Sequence, residues 1–312
     1  MSTLYYSHTD FLEHDTGPGH PESPARLRAI EQALNDGQFQ GLQRPIPPIP
    51  VDIEARLALV HDPAMIQRVL TGIPKQGLSY FDADTVVSAG SGNAALRAVG
   101  AVCDAVDQLC TRQSGNAFCA LRPPGHHAMP GYPMGFCLFN NIAIAAEYAR
   151  HQYGLERVAI VDFDVHHGNG TQAAFYAQAQ VLYASSHQWP HYPGSGDSTE
   201  SGVGNIINVP LAAGTSGEVF RSQYRDIILP RVKKFNPQLI LLSAGFDAHQ
   251  DDPLASLRLV EDDYRWLTLE LMQIADACCK GRIISSLEGG YNLKALAASV
   301  ATHVACLAGI ES

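Results

Sequence analysis

The run Arg157-Val-Ala-Ile-Val-Asp162-Phe-Asp164-Val-His166-His167-Gly168-Asn169-Gly170 constrains this chain more than any other stretch. Its first half is apolar, β-branched and bounded by glycines, which is the pattern of a buried parallel strand. Its second half crowds two carboxylates and two imidazoles into the segment Asp162 to His167. Such groups at the end of a dry strand stay unsatisfied or repel unless they share protons or a cation. The stretch therefore reads as a metal site built on a sheet edge.

The rest of the chain supplies the sheet. Strands are expected at Leu4–Ser7, Asn116–Leu121, Gln180–His187, Gln238–Asp247 and Arg282–Tyr291. Helical patterns run from about Ala25, from Asp62 to Leu70 and from Gly92 to Cys110. Further helices are expected over Phe139–Gln152, Gly217–Phe235, Glu261–Cys279 and Lys294–Leu307. Alternating strands and helices imply a parallel sheet with helices on both faces, whose strands' carboxyl ends share one ligand-binding edge. Four strands would end there in His126-His127, Asp162/Asp164/His166, Asp247 and Tyr291.

Composition narrows the class. At 312 residues and 46% hydrophobic content the chain can bury a large core. No linker or charge block divides it, so one domain over residues 1–312 is expected. Pro45-Ile-Pro-Pro-Ile-Pro50 reads as a stiff surface connection. A net charge of −10 without a Lys/Arg cluster argues against nucleic acid and suits cationic substrates. Seven cysteines with no Cys-x-x-Cys spacing fit a reduced compartment. No basic leader or membrane-length apolar run is present, so a soluble cytoplasmic protein is expected, one that could form a homo-oligomer.

The strand-end residues suggest roles. Catalytic zinc takes three protein ligands and keeps a position for water. Asp164 and His166, two apart on an extended strand end, point the same way, and Asp247 can complete the set; the oxygen and nitrogen donors also admit iron or manganese. A divalent ion with nearby imidazoles suits amide hydrolysis. His126 and His127 would handle the protons, with Asp162 and Asn169 as their charged and neutral partners. A neutral partner leaves its ring less basic, so the two should differ in role. Tyr291, after Gly289-Gly290, would donate to the developing oxyanion. His167 should point to the opposite side of the strand end. His8, His14 and His20 read as ordinary loop histidines, and Asp82, taken locally, as a turn residue.

In their order, Arg122-Pro-Pro-Gly-His-His127, Gly135-Phe136-Cys137, Asp162-Phe-Asp-Val-His-His-Gly-Asn169, Ser243-Ala-Gly-Phe-Asp247 with Asp252-Pro253, and Leu287-Glu-Gly-Gly-Tyr291 resemble the histone deacetylase family. That family includes bacterial histone-deacetylase-like amidohydrolases and acetylpolyamine amidohydrolases. The resemblance spans nearly the whole chain, including His20-Pro-Glu-Ser-Pro-Ala-Arg26. It implies a three-layer arginase-like α/β fold and a zinc-dependent deacetylase. By position, zinc would be held by Asp164, His166 and Asp247, with His126 and His127 as acid–base pair and Tyr291 as oxyanion donor. Phe136 and Tyr192 would wall a narrow tunnel beside Gly135, Asp82 would be a rim aspartate, and Arg26 would help acetate leave. The family's potassium would involve Asp162, Asp164, His166, Ser185 and Ser186. Asn169 and Glu288-Gly-Gly-Tyr291 resemble the class II pattern.

The resemblance leaves the substrate open between acetyl-lysine side chains and acetylated polyamines. Leu254 falls at a tunnel-mouth position where one polyamine-specific branch carries a glutamate. A two-metal ureohydrolase is disfavoured by Asn169, which stands where a carboxylate for a second metal would be expected. A non-catalytic binder is disfavoured because no ligand, histidine or tyrosine of the set is missing.

Overall fold

A computed structural model describes residues 3–112 and 115–310 of the chain; residues 1–2 and 311–312, the ends of the expected domain, lie outside them. In chain order the strands are β1 (Thr3–Tyr6), β2 (Leu78–Tyr80), β3 (Val86–Ser88), β4 (Asn116–Cys119), β5 (Val158–Asp162), β6 (Val181–Gln188), β7 (Ile206–Leu211), β8 (Leu239–Ala244) and β9 (Ile283–Leu287). The helices are α1 (Pro24–Ala33), α2 (Ile53–Leu57), α3 (Pro63–Gly72), α4 (Ser91–Arg112), α5 (Asn141–Tyr153), α6 (Asn169–Phe175), α7 (Gly217–Gln223), α8 (Leu229–Phe235), α9 (Glu261–Cys279) and α10 (Leu293–Ala308).

Seven strands form one parallel sheet in the order β1-β4-β9-β8-β5-β6-β7, while β2 and β3 make a separate antiparallel hairpin. The apolar runs that mark β5, β8 and β9 are buried throughout, as strands covered on both faces must be. One continuous core joins the sheet to helices such as α4, α9 and α10. The long range of the sheet order is what sets the site. β4, β9, β8 and β5, whose ends carry His126-His127, Tyr291, Asp247 and Asp162/Asp164/His166, are consecutive neighbours at its centre.

Most expected elements are present with shifted ends. The long helix expected over residues 217–235 exists, but it opens into a π turn at Tyr224–Ile228 between α7 and α8. Pro230 explains the turn, since it lacks an N–H and its ring crowds the carbonyl four residues back. Periodicity did not mark β7, whose run is broken by Asn208 and Pro210; the strand lies at the sheet edge, where proline is tolerated. The Pro45–Pro50 connection packs on α4, where Arg97 Nη1 donates to Pro47 O at 2.6 Å. Among the described residues no helix is long and apolar enough to cross a membrane.

Buried histidines tie the layers together. His303 on α10 lies between Thr268 Oγ1 at 2.7 Å and Ser285 Oγ at 2.9 Å, among the rings of Phe118, Phe163 and Phe246. Thr268 already donates to Tyr264 O, so it accepts from His303 Nδ1–H, and Nε2 accepts from Ser285. Burial pushes its pKa down to about 3, and holds His61 at about 4. The unfolded chain therefore binds more protons than the folded one below the ordinary histidine pKa, so stability is lost as pH falls from about 6.5. We expect urea midpoints to drop between pH 7 and pH 4.5. His303→Asn should flatten that slope by up to about 1.4 kcal/mol per pH unit, and an unchanged slope would rule out His303 as a contributor.

Candidate active site

Each side chain of the site is carried by a strand end. After β4, Pro123-Pro124-Gly125 turns the chain sharply, and the Glu288 carboxylate beyond β9 pins that turn. Its Oε2 accepts from Gly125 N at 2.7 Å and His126 N at 3.1 Å, and its Oε1 from Ser243 Oγ at 3.1 Å. Burial raises Glu288 to about 7. The imidazoles of His126 and His127 are thereby held side by side, centroids 4.0 Å apart and planes tilted by 45°.

Their partners differ. His126 Nδ1 lies 3.0 Å from Asp162 Oδ2, which also accepts from Tyr183 Oη at 2.9 Å. Burial works against a charged His126, but Asp162 and Asp164 outweigh it and hold the ring at about 10. His127 Nδ1 lies 2.8 Å from Asn169 Oδ1, while Asn169 Nδ2 points at the sulfurs of Met129 and Met134, both at 3.2 Å. That amide orientation makes Nδ1 the protonated nitrogen of His127 and leaves Nε2 with a free lone pair. Burial, then His126 and His166, keep His127 well below its ordinary pKa.

Asp164, His166 and Asp247 each offer one ligand atom within 4.8 Å of the others, and all three are buried. His166 Nδ1 stands 3.1 Å from Asp164 Oδ1 and 3.2 Å from Asp247 Oδ2. The remaining carboxylate oxygens are taken up by backbone: Asp247 Oδ1 accepts from Val165 N at 2.9 Å, and Asp164 Oδ2 from Gly289 N at 2.7 Å. Asp247 Oδ2 is buried and accepts no hydrogen bond. Burial, and then Asp164, raise Asp247 to about 7. The two carboxylates in turn overcome burial and hold His166 at about 10. Two hard oxygens and one imidazole nitrogen that together demand positive charge fit a divalent cation.

Gly289 permits this approach. A Cβ there would come 1.9 Å from Asp247 Oδ2 and 2.6 Å from Asp164 Oδ2. Asp252, which sequence reasoning quoted without a role, orients the neighbouring loop by accepting from Tyr291 N at 2.7 Å and Leu254 N at 3.0 Å.

Above these groups lies a cavity of about 240 Å³, floored by His127, His166 and Tyr291 and walled by Gly135, Phe136, His191, Tyr192, Leu254 and Asp84. Gly135 has φ +57°, and a Cβ on it would strike the His127 ring at 2.6 Å. Phe136 holds φ +67°, a strained value for an aromatic residue of the kind that collects at functional sites. Its ring meets that of Tyr291 edge-on at 6.0 Å and that of His20 at 4.7 Å. Tyr192 stands edge-on to His127 at 5.1 Å and remains 38% exposed at the mouth.

Asp82 is exposed, in the same turn as the cavity-lining Asp84. Its carboxylate closes its own turn, accepting from Asp84 N at 3.1 Å and Thr85 N at 2.6 Å, and it is Asp84 that lines the cavity. Arg26 lies beneath the Tyr291 ring at 5.1 Å, donating to Gly290 O at 2.7 Å and to Glu288 O. At the end of β5, Asp162 pairs in register with Ser185 of β6. Ser185 Oγ is bonded to His187 Nδ1 at 2.9 Å and Ser186 Oγ to Tyr224 Oη at 3.0 Å. His167 faces away from the ligands, between Ser195 Oγ at 2.8 Å and Gln172 Oε1 at 3.0 Å. Asp84, His191 and the anchoring carboxylates of Glu288 and Asp252 were not singled out by spacing. A glutamate directly after the strand-like segment Ile283–Leu287 was the available signal for Glu288.

We expect Gly289→Ala and Asp247→Ala to cost metal affinity by at least about tenfold, as loss of supporting contacts around a ligand set does. Metal analysis of the purified variants after dialysis checks this, and full retention of one equivalent in either would refute the ligand set.

Residues 20–307 match the histone deacetylase domain. The chain is 38% identical over 289 residues to a histone deacetylase-like amidohydrolase of Pseudomonas aeruginosa, covering 90% of this chain and 75% of that one. It is 37% identical over 318 residues to a probable deacetylase of Archaeoglobus fulgidus, covering 100% and 88%. To the chloroplastic histone deacetylase 14 of Arabidopsis thaliana it is 37% identical over 328 residues, covering 99% and 77%. The crystal structure of the HDA15 HD domain superimposes with a TM-score of 0.93 at 34% identity, over 99% of this chain and 88% of that one.

Proposed function

The chain belongs to the histone deacetylase family of amidohydrolases, and we propose that it is a zinc-dependent deacylase. Its substrates are N-acylated aliphatic amines, with acetyl-lysine side chains of peptides or proteins first among them. The observation that carries this reading is the Asp164–His166–Asp247 set, with Asp247 Oδ2 buried and accepting no hydrogen bond, beneath an aromatic-walled cavity and beside two imidazoles, one facing a carboxylate and one an amide.

Asp164, His166 and Asp247 would hold the ion, which when bound polarises the acyl carbonyl and acidifies a water. His127, neutral and with Nε2 free, takes the proton from the attacking water as the C–O bond forms. The same nitrogen then hands it to the amine as the C–N bond breaks, leaving a carboxylic acid and an amine, and passage of the acid's proton to the amine gives carboxylate and ammonium. His126, held charged by Asp162, steadies the negative charge that develops. Tyr291, aimed by Asp252, donates its hydroxyl to the former carbonyl oxygen. Phe136 and Tyr192 grip the aliphatic stem, and Arg26 supports the loop carrying Tyr291. Potassium is assigned to the β5–β6 end, with Asp162, Asp164, His166, Ser185 and Ser186.

A second reading is deacetylation of acetylpolyamines. It is favoured by Asp84, a wall carboxylate that can face a second ammonium, and disfavoured by the apolar Leu254 beside it. Comparing kcat/KM on acetyl-lysine peptides, acetylputrescine, acetylcadaverine and acetylspermidine decides between the two. No turnover of any of them by the zinc-loaded protein would sink the deacylase assignment.

Tyr291→Phe should lower kcat by about 10²-fold with metal content unchanged, the scale of losing one oxyanion donor. A fluorogenic acetyl-lysine assay beside metal analysis tests it, and full activity would remove Tyr291 from this role.

A further inference from the structure

Behind the site lies a buried ion cluster of which the chemistry above uses only Arg26. Glu22, Arg26 and Arg122 are each 0% exposed. Glu22 Oε1 accepts from Arg26 Nη1 at 3.1 Å and from Arg122 Nε, and Glu22 Oε2 accepts from Arg122 Nη2 at 2.8 Å. His14 Nε2 is 3.5 Å from Oε2, but burial lowers its pKa, so one carboxylate answers two guanidiniums. The other donors reach backbone: Arg122 Nη1 to Phe11 O at 2.8 Å, and Arg26 to the carbonyls of Glu288 and Gly290. Arg122 directly precedes the turn that carries His126 and His127, whereas Arg26 holds the loop that carries Tyr291.

We propose that Glu22 is a positioning residue: by clamping Arg122 and Arg26 together it sets the distance between the histidine pair and Tyr291 across the site. Glu22 touches none of the reacting groups, and its effect passes through the two arginines. Breaking one partner of a buried ion pair leaves an uncompensated charge that the surroundings must move to solvate. Here the moving parts are the two loops. The activity part of this proposal rests on the deacylase reading above.

The test is amide hydrogen exchange followed by mass spectrometry, with steady-state kinetics on the zinc-loaded protein. In Glu22→Gln, peptides spanning residues 122–128 and 288–292 should both exchange faster, while β5 and β8 keep their protection. Its kcat should fall by about 10²-fold with KM little changed, the scale of a small misplacement of catalytic groups. In Arg26→Gln the Glu22–Arg122 pair survives as a neutral unit, so only residues 288–292 should loosen. Glu22→Gln leaving both loops protected, or Arg26→Gln loosening both alike, overturns the proposal. Should Glu22→Gln fail to fold, Arg26→Gln and Arg122→Gln decide the matter: each must loosen its own loop, and loosening of neither overturns the clamp. The expected exchange pattern in a protein without turnover supports the clamp and counts against the deacylase reading alone.

Discussion

Buried negative charge at the carboxyl edge of the sheet is the constraint on which the rest depends. Asp162, Asp164, Asp247 and Glu288 are each at most 1% exposed and end neighbouring strands. Carboxylates so placed repel one another and have lost their water, and each must find a proton, an N–H or a cation. The structure meets the demand in two ways. Backbone N–H groups of Gly125, His126, Val165 and Gly289 take some of the oxygens. Imidazoles take others. Asp247 Oδ2, buried and accepting no hydrogen bond, faces His166 within the candidate metal-ligand set.

The same constraint separates the two histidines. Both buried, with centroids 4.0 Å apart, they differ because one ring faces Asp162 and the other Asn169. A carboxylate holds its ring charged, whereas an amide whose own donors are spent on methionine sulfurs leaves its ring neutral with one nitrogen free. Catalysis by proton transfer needs one group that stabilises charge and one that changes protonation, and under the proposed deacylase reading two neighbouring residues of the same type would supply both because their partners come from different places. Behind them a single carboxylate, Glu22, holds two arginines that lead to opposite sides of the cavity.

Much of this was legible in the sequence where a local pattern carries the physics. The runs before His126, Asp162, Asp247 and Tyr291 read as buried strands because two-sided burial leaves few polar positions, filled here by small serines such as Ser243, Ser285 and Ser286. The placement of polar residues at each run's end followed from the same fact. Asp164 and His166 were readable as a pair because alternate residues of an extended chain point the same way. Less was legible where the local pattern is ambiguous. β7 was hidden by Pro210, which only an edge position tolerates, and the π turn before Pro230 leaves no mark in helical periodicity. Asp82 and Asp84 sit two residues apart in a turn. Which of the two closes the turn and which reaches the cavity depends on backbone hydrogen bonds to Asp84 and Thr85 that composition does not encode.

The sequence by itself determined the α/β class, the strand ends that carry chemistry and the family, because periodicity and short motifs report local conformation and side-chain direction. Only the tertiary structure decided that β4, β9, β8 and β5 lie side by side, although in the chain β9 and β8 follow β5 by many residues. It also decided that Asp164, His166 and Asp247 converge within 4.8 Å and that Glu22 is shared by Arg26 and Arg122. Those outcomes are long-range because strand order and ion pairing are settled by which surfaces pack, and no local signal carries that choice.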